Sequence, residues 1–159
     1  MDRVDIGEHK LVLPDNIYRI ELSIVTKTRG ISVQSCTQLY YLKLDQIDIG
    51  AHELMLPENL TYIKLRTVAM TEGLSVQHCT RLQHLSLAYL DLGAHELVLP
   101  DCLTRIELTK VTMPGELLVQ NCSQLQDISL AFMDINDDFP RLPNSISGAP
   151  GESASCFEM

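Results

Sequence analysis

Tryptophan is absent from this 159-residue chain and aromatic residues make up only 5% of it. Any core must therefore be aliphatic. No apolar run approaches the roughly 18 residues needed to span a bilayer. The opening Met1-Asp2-Arg3-Val4-Asp5 has no apolar stretch of the kind that marks a signal peptide. Basic residues are scarce: 12 Lys and Arg stand against 21 Asp and Glu, a net charge of -9. That balance argues against nucleic acid and anionic membrane as primary partners, because both select basic surfaces. Cysteine is sparse and odd in number, with five residues and no CxxC or zinc-finger spacing. Helical i, i+3, i+4 apolar stripes of useful length are missing, so little helix is expected. Also missing are the G-x-S-x-G, P-loop, H-E-x-x-H and G-x-G-x-x-G motifs, and no catalytic constellation stands out. The expectation is a protein that is not an enzyme and needs no cofactor or metal.

What is present is repetition. Asp5-Ile6-Gly7-Glu8-His9 returns as Asp48-Ile49-Gly50-Ala51-His52 and as Asp91-Leu92-Gly93-Ala94-His95, a step of 43 residues. Leu13-Pro14, Leu56-Pro57 and Leu99-Pro100 keep that step, as do Val33-Gln34, Val76-Gln77 and Val119-Gln120, and Cys36, Cys79 and Cys122. Each unit divides into halves sharing L-x-x-[IL]-x-L, with central residues Ile20, Leu42, Ile63, Leu85, Ile106 and Ile128. These lie 22, 21, 22, 21 and 22 residues apart.

One coil of this length cannot bury its own Leu and Ile. Stacked coils can, and they share backbone hydrogen bonds as parallel strands. Alternation within [IL]-x-L is the signature of such a strand. A second pair, L-x-[LV], precedes Pro or Gln in every half and predicts a short strand on the opposite wall. Gly30, Gly50, Gly73, Gly93 and Gly115 fall between strands, where positive φ is expected. The fold class read from the pattern is a mostly β solenoid of about six 21–22-residue coils with parallel strands.

These residues resemble leucine-rich repeats, and most closely the BspA type. Cys79-Thr80-Arg81-Leu82-Gln83-His84-Leu85-Ser86-Leu87 matches the C-x-x-L-x-x-I-x-I part of that signature. Leu99-Pro100-Asp101-Cys102-Leu103-Thr104-Arg105-Ile106 matches its proline-containing part. The resemblance covers about residues 4–143. It departs in dividing the two signatures between alternate halves, and Val25, Val68 and Val111 stand where the commonest repeats have asparagine. What the family implies is macromolecular recognition, including pattern recognition in immunity and bacterial surface adhesion. Fold alone does not choose among these.

The solenoid is expected over residues 1–143. Residues 144–159, rich in Ser, Gly, Pro and Ala, read as a disordered tail. Asp2-Arg3-Val4-Asp5 aligns with Asp45-Gln46-Ile47-Asp48, just after a strand, without a capping segment before it. The expectation is therefore a fragment of a longer array.

The leading candidate site is the wall of parallel strands. The residues flanking each central Ile or Leu point outward in two columns. One is Arg19, Tyr41, Tyr62, His84, Arg105 and Asp127; the other is Glu21, Lys43, Lys64, Ser86, Glu107 and Ser129. Tyr and Arg are enriched at binding hot spots, and the ladder behind them is rigid. Arg19, Tyr41, Tyr62, His84, Arg105, Asp127, Lys43 and Lys64 are the predicted binding residues, with a protein as the expected ligand. The plainer alternative is a solvated sheet face.

Other features are weaker. His9, His52 and His95 form a ladder, with Glu53 and Glu96 beside two of them. Successive members lie two rungs, or about 10 Å, apart. One zinc ion needs its ligand atoms at about 2 Å, so these are repeated turn residues. Cys36, Cys79 and Cys122 are also two rungs apart, too far for disulfides. They read as small buried residues closing each coil. Cys102 sits on the rung between Cys79 and Cys122, where the spacing permits one bridge. Free thiols and the missing leader favour the cytoplasm. Cys156-Phe157-Glu158-Met159 has a prenylation frame with Glu158 in a usually aliphatic place, and reads as a chance match. The sequons at Asn59 and Asn121 are read as accidental.

Two further readings compete with recognition. The chain could self-associate through open solenoid ends, since exposed strand edges invite pairing. A catalytic parallel β-helix would need carboxylates clustered on one wall. The two columns hold only Glu21, Glu107 and Asp127.

Overall fold

The computed structural model describes residues 4–5, 11–26, 31–50, 54–70, 73–93, 97–113, 117, 119 and 121–132. It contains nine strands and, among the described residues, no helix. They are β1 (Val4–Asp5), β2 (Leu11–Val12), β3 (Arg19–Thr26), β4 (Ile31–Ser32), β5 (Tyr41–Gly50), β6 (Tyr62–Met70), β7 (His84–Asp91), β8 (Arg105–Thr112) and β9 (Asp127–Ala131).

Seven strands form one sheet in the order β1-β3-β5-β6-β7-β8-β9, and every pairing in it is parallel. Ile20 pairs with Leu42, Leu42 with Ile63, Ile63 with Leu85, Leu85 with Ile106 and Ile106 with Ile128. Coils about 22 residues apart thus stack into a β-solenoid of about four turns. The repeat length sets the register: a one-residue slip would turn every Leu and Ile of a strand toward solvent.

The core lies between the long sheet and the opposite wall. Leu42, Leu44, Ile63, Leu65, Leu85, Ile106 and Leu108 are wholly buried from the strand side. Leu54, Leu56, Leu74, Val76, Leu97 and Leu99 close it from the other side. Each fully buried Leu or Ile contributes about 1.5–3 kcal/mol relative to exposure.

The opposite wall differs from expectation. A strand in every half is predicted, but ladder pairing occurs between β2 and β4 and continues only as a bridge from Ser32 to Met55. The alternating pairs Leu74/Val76 and Leu97/Leu99 face the core without strand pairing. Their burial holds that wall, and Pro57 and Pro100 remove a backbone donor beside it in alternate coils.

The glycines follow expectation in part. Gly73 and Gly93 have φ of 73° and 60°. Gly50 instead ends β5, where the register with β6 shifts; Gly30 and Gly115 lie outside the described residues. The unpredicted feature is a left-handed residue inside each long strand. Ile24, Gln46, Thr67, Tyr89, Lys110 and Phe132 have φ between 51° and 57°. In β6 the inward residues are Ile63, Leu65, Val68 and Met70, so Arg66 and Thr67 both face outward. One left-handed residue resets the alternation, as in a bulge, and bends the strand around a corner.

The repeated cysteines and prolines also gain a common explanation. Cys36 Sγ lies 3.5 Å from Pro14 O, Cys79 Sγ 3.7 Å from Pro57 O, and Cys122 Sγ 3.5 Å from Pro100 O. Each buried thiol donates a weak hydrogen bond to the corresponding residue one coil earlier, so the two motifs share a period because they are partners. Cys36, Cys79, Cys102 and Cys122 are free thiols. Cys102 Sγ donates to Leu82 O at 3.1 Å, so the bridge the spacing permits is not formed.

Candidate binding surface on the strand wall

The first residues of β3, β5, β6, β7, β8 and β9 are Arg19, Tyr41, Tyr62, His84, Arg105 and Asp127. They are successive partners across the sheet. Their backbones approach at the strand spacing of about 4.8 Å, which is also a stacking distance. The Arg19 guanidinium lies 3.9 Å from the Tyr41 ring centroid. Tyr41 and Tyr62 stack at 4.6 Å with planes 10° apart, and Tyr62 and His84 follow at 4.5 Å and 32°. Arg105 Nε lies 2.9 Å from Asp127 Oδ2.

All six predicted residues of the first column therefore sit together, with one qualification to their expected role. The faces of Tyr41 and Tyr62 are occupied by their column neighbours. What a partner meets is ring edges, hydroxyl tips and the charged ends of the row. Burial pushes the Tyr62 hydroxyl above its ordinary value. Burial also lowers His84, more than the nearby Glu107 carboxylate raises it. His84 Nε2 is 3.7 Å from Glu107 Oε1, close enough for an ion pair when protonated but too long for a hydrogen bond.

The second column runs Glu21, Lys43, Lys64, Ser86, Glu107 and Ser129, again as successive partners. Arg19 donates to Glu21 through Nε at 3.0 Å and through a second guanidinium nitrogen. Lys43 Nζ donates to the other Glu21 oxygen at 3.4 Å. The hydrogen bond from Arg19 is the main cause that holds the Glu21 carboxyl below its usual range. Lys64 has no ion-pair partner among the described residues. Ser86, expected to point into solvent, is only 5% exposed. Its short side chain lies between Lys64 and Glu107 and does not rise above them.

Two more outward columns escape the sequence reading. One is Ser23, Asp45, Arg66, Ala88, Thr109 and Ala131, in which Asp45 and Arg66 pair at 3.8 Å. The other is the left-handed corner, where Tyr89 and Phe132 are among the most exposed large side chains. Lys110 Nζ sits 5.3 Å from the Tyr89 ring and 5.5 Å from the Phe132 ring. A signal for this corner exists in the sequence. The apolar step lengthens from two residues to three after each [IL]-x-L, as from Leu65 to Val68 and from Leu108 to Val111.

The histidine ladder of His9, His52 and His95, with Glu53 and Glu96, lies outside the described residues. So do Cys156 and all of residues 144–159. Among the described residues no group of three or more His, Cys, Asp or Glu is arranged to hold a metal ion. Asn59 Nδ2 donates to Thr37 O at 2.7 Å. Comparison with family models, with curated proteins and with solved structures gives no match.

Proposed function

We propose that the chain is a recognition scaffold, a leucine-rich-repeat-like solenoid whose strand wall holds a protein ligand by rigid contact at several points and performs no chemistry on it. The observation that carries this reading is the row Arg19, Tyr41, Tyr62, His84, Arg105 and Asp127, packed side to side on one sheet with Lys43 and Lys64 beside it. A row whose members brace one another loses little side-chain freedom on binding, which lowers the cost of association. A larger receptor-like or surface protein is the setting that the repeat family suggests, and it belongs to the same proposal.

Affinity capture from a source extract tests it, comparing wild type with a variant carrying Arg19→Ala, Tyr41→Ala, Tyr62→Ala and Arg105→Ala, with folding checked by circular dichroism. A partner held by wild type and lost by the variant is expected. Equal capture by both would refute the wall as the site. Capture of this chain alone would favour assembly through a strand edge. Ile128 and Leu130 of β9 are only partly buried, whereas Ile106 and Leu108 on the preceding rung are wholly buried.

A further inference from the structure

Small residues at one rung interrupt the wall. The outward positions of β7 after His84 are Ser86 and Ala88. On one side of them stand Lys64 and Arg66 of β6, on the other Glu107 and Thr109 of β8, and Tyr89 closes the corner. The result is a notch of about 440 Å³ in the sheet face, reaching to Lys43 and Asp45.

Most charges around the notch are already matched. Arg66 lies 3.8 Å from Asp45, Lys43 lies 3.4 Å from Glu21, and Glu107 lies 3.7 Å from His84. Two donors are not matched. The Lys64 ammonium has no ion-pair partner among the described residues, and neither does the Ser86 hydroxyl have a hydrogen-bond partner among them. Ser86 is 95% withdrawn from solvent yet lines the notch. A buried hydroxyl without a partner costs free energy that a ligand acceptor would recover. Lys64 and Ser86 are direct partners across the sheet, so their donors converge on one place.

Resting on the reading of the wall as a protein-binding surface, we propose that this notch receives the side-chain carboxylate of an acidic, extended peptide segment of the partner, held by Lys64 and Ser86. A carboxylate offers two acceptor oxygens to two donors and carries one charge. Asp45 and Glu107 at the margins disfavour a phosphate, whose second charge would double their repulsion. Ala88 leaves the depth that the aliphatic part of a Glu side chain needs.

The test is fluorescence anisotropy of the whole chain at low ionic strength. The probe is a fluorescein-labelled peptide of alternating Gly and Glu; a Gly/Lys peptide and a Gly/phosphoserine peptide are the comparison arms. Saturable binding of the Glu peptide is expected. Lys64→Gln weakens it about tenfold, the scale of a charge-assisted hydrogen bond. Ser86→Ala weakens it several-fold, and Ala88→Leu fills the notch and abolishes binding with both donors still present. Arg81→Gln, an exposed charge in the turn before β7, leaves binding unchanged. No saturable binding of the Glu peptide, equal loss with Arg81→Gln, or tighter binding of the phosphopeptide would overturn the proposal. None of Arg19, Tyr41, Tyr62 and Arg105 lines the notch. A captured partner lost by the wall variant but indifferent to Lys64→Gln would therefore sink the notch and leave the wall standing.

Discussion

Replacing Thr67 by glycine should stabilise this protein, although glycine in a strand ordinarily does the opposite. Thr67 lies in the middle of β6 with φ of 51°. A left-handed backbone costs an L-residue about 1–2 kcal/mol, because Cβ crowds the following carbonyl oxygen. Glycine removes that cost and adds about 0.5–1 kcal/mol of its own in lost chain entropy. The side chain gives up little, since Thr67 is exposed and has no hydrogen bond among the described residues. The balance is a gain of about 0.5–1 kcal/mol, or a rise of about 0.4 M in urea midpoint for a slope of about 2 kcal/mol/M. Ala69→Gly is the control. Ala69 lies two residues further along the same strand, is also exposed, and has no positive φ. It should lose about 0.5–1 kcal/mol. Tyr89 occupies the equivalent backbone position but packs against Arg66 and Lys110, which would mix two effects. Urea unfolding followed by circular dichroism decides the matter. If both glycine variants fall by similar amounts, the corner carries no recoverable strain, and the account of how the strand turns is wrong.

Two other predictions come from titration and reactivity. Burial pushes the Cys79 thiol up to about 12 and the Cys122 thiol up to about 11. At about pH 8 the Cys79 thiol is therefore ionised to about one part in 10⁴. Alkylation followed peptide by peptide should find both about a hundredfold or more slower in the folded chain than in urea, with Cys102, which is partly exposed, ahead of them; Cys79 reacting as fast as Cys102 would contradict the packing. His84 provides the pH test. Its folded value lies below the ordinary 6.5, so below about pH 6.5 the unfolded chain binds the proton more readily and stability falls as pH falls. His84→Gln should lose less urea midpoint than wild type between about pH 7.5 and pH 5.5, and parallel losses would show that His84 is not the group responsible.

The coil length, the parallel sheet and both predicted columns are legible in the sequence because they depend on one quantity, the spacing of Leu and Ile. Ile20, Leu42, Ile63, Leu85, Ile106 and Ile128 specify the register, and the register places Arg19 beside Tyr41 and Lys43 beside Lys64. What escapes the reading depends on conformation within a rung. The corner at Thr67 and Tyr89 is hidden because a three-residue apolar step looks like a lapse in a two-residue alternation. The burial of Ser86 is hidden because it is set by the length of its neighbours. The mutual stacking of Tyr41 and Tyr62 follows from the strand spacing alone, yet it changes which atoms are left for a partner.

A repeat protein supplies its own controls, because a feature found on every rung belongs to the architecture. The left-handed corner occurs six times, from Ile24 to Phe132, and so describes how coils are built. The thiol-to-proline contact recurs three times and reads the same way. Lys43 beside Lys64 does not repeat. Like charges directly opposed on adjacent strands destabilise a sheet, and alternating signs would serve the fold better. Elsewhere on the wall that rule is kept, by Glu21 against Lys43, Asp45 against Arg66 and Arg105 against Asp127. The one unfavourable pair adjoins the one rung where Ser86 and Ala88 open the surface. Departures from local consistency gather where a protein meets something else. The fold gains nothing from an unmatched Lys64 above an unmatched Ser86 hydroxyl, and a carboxylate brought by a partner would satisfy both.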